Sequence, residues 1–168
     1  MECMGITDTP GLWAALKWSS GHLSRTNRLI QPLEVTESPR APGIYRFTWD
    51  GAEWHVLQKT FTVRSSRKVV DPTVDFSDMM PPVVLTIGRA TDMHARIRQH
   101  FGTNLNNNRV IKRLSGIMPG KSADEIRDIA IQNLVVEWVI ERDWRKRWVL
   151  ERYGCGIEAP LLDFEAEH

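Results

Sequence analysis

The run VVLTIGRATDMHARIRQHFG, residues 83 to 102, is apolar and β-branched up to Gly88. Arg89, His94, Arg96, Arg98 and His100 follow at once. With 91–101 helical, Arg96 and His100 stand four residues apart and project from one face. An arginine is permanently charged and grips a phosphate through two parallel hydrogen bonds. A histidine moves a proton near neutral pH. One group to hold charge developing on phosphorus and one to move a proton suits phosphodiester chemistry. The same pair on a bare helix face would only be a solvated surface, so the rest of the chain has to decide.

Two further residue types bear on the question. Tyr45, in PGIYRFTW, is a phenol on an expected strand. To act as a base it needs Arg89, Arg96 or a metal close by, because a free phenol titrates near about pH 10. Packed inward it is an ordinary core aromatic. Glu151, in RWVLERYG, lies among Arg142, Arg145, Lys146, Arg147 and Arg152. A lone carboxylate there suits one hard divalent cation, Mg2+ or Mn2+, with water and phosphate oxygens completing the shell. Its plain alternative is an ion pair with Arg147, four residues earlier. His55 and His94 read as structural or surface groups, and Cys155, between two glycines, as inert. Trp144 and Trp148 read as packing the last helix onto the sheet, with base stacking the alternative.

The elements that must position these groups follow from pattern. A helix is expected over 9–18, a strand over 43–49, a tight turn at Asp50-Gly51 and a returning strand over 52–58. Residues 60–82 hold one more possible strand and a turn-rich loop. VVLTIG (83–88) reads as a central strand. Thr91 or Asp92 caps a helix to about Phe101, with Met93, Ile97 and Phe101 as its apolar stripe. A short helix spans 109–114. Ser122 with Glu125 forms a capping box for a helix over 123–132. A strand over 134–141 follows. Asp143 caps a last helix that Gly154 or Gly156 should stop. Strands and helices that do not strictly alternate indicate an α+β fold.

The 168 residues suit one domain or one domain with an extension. Hydrophobic residues at 42% and charged residues at 26% support a packed core rather than a disordered chain. A net charge of only +1 means that binding to nucleic acid would depend on a local patch. Cys3 and Cys155 form neither a disulfide framework nor a zinc cluster. No run is long enough to span a membrane, and no signal-peptide pattern opens the chain, so a cytoplasmic protein with no membrane partner is expected.

Taken together, the landmarks resemble the GIY-YIG nuclease superfamily. Gly43-Ile44-Tyr45 reproduces the first signature tripeptide, and Thr86-Ile87-Gly88 falls where the second is expected. Arg89 matches the basic residue that often follows. Arg96, ten positions past Thr86, matches the catalytic arginine, and His100 a position that is His or Tyr in many relatives. Glu151 matches the metal-binding glutamate of the last helix. Asp163 falls where the family usually has asparagine. The resemblance spans about residues 41 to 164, leaving 1–40 as an N-terminal extension and about 50–82 as an insertion in a domain of residues 41–168.

It implies a small central antiparallel three-stranded sheet flanked by helices, with an inserted hairpin. It also implies a metal-dependent endonuclease that hydrolyses phosphodiester bonds of DNA, RNA not being excluded, acting alone or as a homodimer. A tyrosine base activates water, arginine stabilises the transition state, and one Mg2+ or Mn2+ on Glu151 stabilises the leaving oxygen.

Three departures bear on activity. Thr86 replaces the second signature tyrosine and is a much poorer proton acceptor with a shorter reach. The two tripeptides are separated by residues 46–85, far more than is usual in the family; Arg64, Arg67 and Lys68 there could touch backbone phosphate or simply guard a hairpin edge. Asp163 can only accept hydrogen bonds where an amide both donates and accepts. The alternatives are a catalytically degenerate member that binds nucleic acid or protein without cutting, and an unrelated small α+β binding domain.

Overall fold

The computed structural model describes residues 8–24, 34–35, 39–51, 80–101, 109–118, 120–158, 160 and 162. In chain order these form α1 (Thr9–Ala14), β1 (Ser19–Ser24), β2 (Glu34–Val35), β3 (Gly43–Trp49), β4 (Val83–Ala90), α2 (Met93–Phe101), α3 (Arg109–Ile117), α4 (Ala123–Asn133), β5 (Leu134–Ile140) and α5 (Trp144–Glu158). The fold is α+β. The sheet order is β2-β1-β5-β3-β4, with every adjacent pair antiparallel.

The sheet holds more than the three strands expected, since β1 and β2 extend it beyond β5, β3 and β4. β1 pairs with β5 from Ser19 opposite Trp138 to His22 opposite Val135, and the two-residue β2 pairs with β1. The sequence SSGHLS carries little β propensity. Its strand forms because β5 offers a free edge, Leu23 enters the core, and Gly21 lets the Trp138 ring lie close above it. The helix expected over 9–18 accordingly ends at Ala14.

β3 alternates across the sheet. Tyr45, Phe47 and Trp49 face a core built with Met93, Ile97, Phe101, Val110, Ile111, Leu114, Ile126 and Ala130 of α2, α3 and α4. On the other face Ile44 and Ile87 pack with Trp13 of α1 and Leu150 of α5. β4 is therefore covered on both faces by helices while standing at the end of the described sheet, not at its centre as its continuous apolar run suggests. Such a run reports burial of two faces and is silent about edges.

Local signals set most boundaries. Asp92 Oδ1 accepts from Ala95 N–H at 3.0 Å and opens α2. Ser122 and Glu125 close the expected capping box on α4. Asp143 Oδ1 accepts from the N–H groups of Arg145 and Lys146 at 2.8 and 3.4 Å to start α5. α5 then runs through both glycines expected to stop it. At Gly154 a Cβ would overlap the Trp13 ring, so this glycine serves close packing of α1 on α5 rather than termination. The return strand expected over 52–58 and the rest of the insertion up to residue 79 lie outside the described residues. β3 has β4 on one side and β5 on the other along its whole length.

Candidate active site

The first tripeptide is fastened to the helix that follows the second. Ala41 O accepts from Met93 N–H at 3.1 Å, and Pro39 O from His94 N–H at 3.2 Å, so the chain leading into β3 satisfies two orphan donors at the start of α2. The far end of α2 is held by Arg127 of α4, whose Nε donates to Phe101 O at 3.0 Å while Nη1 meets Asp124 Oδ1 at 3.0 Å. A cation at a helix C-terminus suits the helix dipole. With both ends tied, α2 holds a fixed azimuth over β3 and β4.

That azimuth brings His100 to Tyr45. Tyr45 Oη lies 2.7 Å from His100 Nε2, across 55 residues of sequence. The two rings meet edge to face at 5.5 Å, and Phe47 contacts both. Tyr45 is 2% exposed and His100 4%. With the imidazole proton on Nδ1, Nε2 accepts from the phenol and can take its proton; with it on Nε2, the ring donates to the phenol oxygen. Tyr45 is opposite Gly88 in the register, and its hydroxyl and ring lie where a side chain on Gly88 would be. The glycine of the second tripeptide is thus the floor on which the tyrosine of the first rests.

Arg89 is the next residue and points to the opposite face. There its Nη1 stands 3.2 Å from Glu151 Oε2 on α5. Glu151 therefore does not rely on Arg147, which is buried and donates instead to the carbonyls of Glu141 and Arg142, each at 2.9 Å. The two pairs, Tyr45–His100 and Arg89–Glu151, consequently flank adjacent residues of the terminal strand β4, one on each face. Arg96 stands one turn before His100 on α2, half-buried, with Nη1 3.1 Å from Gln99 Oε1.

Thr86 lies opposite Phe47 and is 6% exposed, a buried hydroxyl where a phenol would project further. Leu85, just before it, is the extra residue of a bulge. Its carbonyl accepts from Leu162 N–H at 2.8 Å, and Arg113 Nη1 donates to the Leu162 carbonyl. The chain just before Asp163 is in this way pinned to β4. Asp163 itself lies outside the described residues, as do Arg64, Arg67, Lys68 and His55.

No group of three or more His, Cys, Asp or Glu side chains converges among the described residues. A divalent cation would have to be held by Glu151 with water and substrate oxygens. The hard oxygen donor and its half-exposed position suit this, and Arg89 would have to swing off the carboxylate toward phosphate.

Two features escape a reading of the sequence. One is a network on the α5 side of the sheet. Arg46 Nε and Nη2 meet the two Glu137 oxygens at 2.6 and 3.1 Å, Nη1 meets Glu158 at 3.1 Å, Thr48 Oγ1 donates to Glu137 at 2.8 Å, and the guanidinium lies over Trp18. Every charged group has a partner, so the network clamps β3, β5 and α5 together. The alternation of β3 puts Arg46 and Thr48 on one face, but only the register places Glu137 opposite Arg46. The other is the solvent-facing side of α5. Trp144 and Trp148, expected to pack against the sheet, are 64% and 47% exposed. The buried side of α5 is taken by Arg147, Leu150 and Gly154 instead.

Compared with protein-family models, with curated proteins and with solved structures, the chain matches none of them.

Proposed function

We propose that the chain is a metal-dependent endonuclease acting on DNA, built on the GIY-YIG plan. The observation that carries this reading is the 2.7 Å contact between Tyr45 Oη and His100 Nε2 over Gly88. It joins the first tripeptide, the second tripeptide and the helix behind it at one point. A core tyrosine needs a hydrogen-bond partner, but it does not need an imidazole able to take its proton.

In this reading His100 accepts the phenol proton and Tyr45 serves as the base toward water. Arg89 and Arg96 hold the phosphate and offset charge that develops on it. Glu151 holds Mg2+ or Mn2+, which when bound supplies charge stabilisation at the leaving oxygen. Because the two pairs flank Gly88 and Arg89 from opposite faces, the scissile phosphate would have to lie along the outer edge of β4, between those faces.

A second reading is binding without cleavage. It is favoured by the burial of Tyr45 and His100, which restricts a substrate's approach, and by Thr86 in place of a phenol. One assay separates the two: incubation with supercoiled plasmid and with branched and single-stranded DNA, in Mg2+ or Mn2+, with Glu151→Ala in parallel. Cutting by the wild type that vanishes in the variant is expected. Cutting that persists in Glu151→Ala overturns the metal role. Folded protein that retards DNA in a gel and never cuts it establishes the second reading.

A further inference from the structure

The outward side of α5 carries a pattern that the cleavage site does not use. Trp144 and Trp148 are four residues apart and Arg152 four further, so all three share one helical face. Both indoles are exposed to solvent, Trp144 more than Trp148. Each also carries a cation: Arg145 lies over the Trp144 ring at 5.5 Å and Arg152 over the Trp148 ring at 5.8 Å. Exposed tryptophan is expensive in contact with water, and two on one helix face imply a partner.

Charge selects the partner. Between 141 and 152 the cations are Arg142, Arg145, Lys146, Arg147 and Arg152, and the carboxylates are Glu141, Asp143 and Glu151. All three carboxylates are engaged. Glu141 accepts from Asp143 N–H at 2.9 Å, Asp143 caps α5, and Glu151 meets Arg89. Arg147 is buried on backbone carbonyls, whereas Arg142, Arg145 and Arg152 are exposed. The face presents flat aromatic surface edged by exposed positive charge, with Arg145 and Arg152 already lying over the indoles, which fits a polyanion bearing flat rings. A duplex keeps its base faces covered by stacking at about 3.4 Å per nucleotide. A single strand leaves them open, and indoles about 6 Å apart along the helix can each take one.

We infer that this face of α5 binds unpaired nucleotides of a single-stranded DNA segment, bases stacked on Trp144 and Trp148 and phosphates on Arg145 and Arg152. The inference deepens the nuclease reading by naming its substrate class, a DNA with an unpaired stretch beside the cut. Glu151 sits on the same helix next to Arg152 and three residues from Trp148, so a strand on this face runs toward the proposed metal ligand.

The test is made in EDTA, where cleavage cannot occur, so that binding is read independently of any nuclease activity. Fluorescein-labelled oligo(dT) of about 20 nucleotides and a duplex of equal length are titrated with the full chain. The expected result is tighter binding of the single strand, with quenching of tryptophan emission. Trp144→Ala and Trp148→Ala, both on exposed positions, should each weaken oligo(dT) binding by about fivefold to a hundredfold and leave duplex binding nearly unchanged. Arg145→Gln with Arg152→Gln should weaken both and lower the slope of log affinity against log salt by about 1.4 for the single strand. Wild-type oligo(dT) affinity in both tryptophan variants overturns the inference. So does a dimer in sedimentation that the tryptophan variants dissolve, which would make a second copy the occupant, or binding to anionic vesicles in preference to DNA. Absence of cutting in the plasmid assay leaves the result untouched.

Discussion

Gly88→Ala is the most direct probe of the arrangement at the sheet edge. Gly88 has ordinary strand backbone, the positive-φ glycine among the described residues being Gly120, so an alanine there brings no backbone strain. A Gly-to-Ala change at an open strand position would stabilise the chain by about 0.4–1 kcal/mol through the unfolded state. Here the new Cβ would overlap Tyr45 Oη and stand 2.5 Å from Cζ and 3.0 Å from Cε1. Carbon atoms prefer separations of about 3.5–4.0 Å, so the ring must retreat by about 1 Å. It is wedged between Phe47 and His100, with centroids 5.5 Å from each. Overpacking of this kind costs about 1–3 kcal/mol, and parting the phenol from His100 adds about 1–3 kcal/mol for a buried polar group left without its partner. The sum is about 2–6 kcal/mol, or about 4–24 °C in Tm at this chain length. Thermal and urea unfolding of Gly88→Ala, Tyr45→Phe and the double variant form the assay. Without the hydroxyl the nearest atom is gone and the ring is released from His100, so the double variant should lose at least about 0.5 kcal/mol less than the sum of the singles. A Gly88→Ala protein as stable as wild type, or strict additivity, would refute the placement of Tyr45 over Gly88.

Arg46→Met leaves Glu137 and Glu158 facing each other across β5 and α5; a loss of about 2 kcal/mol is expected from urea unfolding, and an unchanged midpoint would show the network to be idle. The Ser122 backbone N–H and hydroxyl hold the Glu125 carboxyl below its ordinary value of 4.5. Because the folded value is the lower one, its contribution is complete above pH 4.5 and is lost as the pH falls through the folded value. Glu125→Gln should therefore be less stable than wild type near pH 7 and converge with it in acid; a gap that stays constant with pH would contradict this. Gly154→Ala adds helix propensity worth about 1 kcal/mol but drives a Cβ into the Trp13 ring. Net destabilisation with a red shift of tryptophan emission is expected, and net stabilisation would show that α1 is not seated on α5.

Much of the local structure was legible because its signals are short-range. The capping box at Ser122 and Glu125, the caps at Asp92 and Asp143, and the stripe of Met93, Ile97 and Phe101 operate within one or two helical turns. β3 and β5 were legible from alternation and β-branching. What failed was whatever depended on a distant neighbour. β1 is polar and exists because β5 has a free edge. Gly154 and Gly156 look like stops, yet α5 passes through both, and Gly154 instead gives the Trp13 ring its close seat. Trp144 and Trp148 look like core residues, yet Arg147, Leu150 and Gly154 occupy the inward side of α5.

The candidate site divides along the same line. The sequence by itself determined which groups are present, Tyr45, Arg89, Arg96, His100 and Glu151, and that Arg96 and His100 share a helix face, since helical spacing needs no partner. Only the tertiary structure decided which of them meet. Tyr45 reaches His100 because Pro39, Ala41 and Arg127 fix both ends of α2 over β3. Glu151 reaches Arg89 because α5 packs on the other face of β4. Composition and spacing act along the chain over a few ångströms, whereas these encounters depend on the register of β3 against β4 and on how each helix is rotated. Those are settled by the packing of the whole core at once.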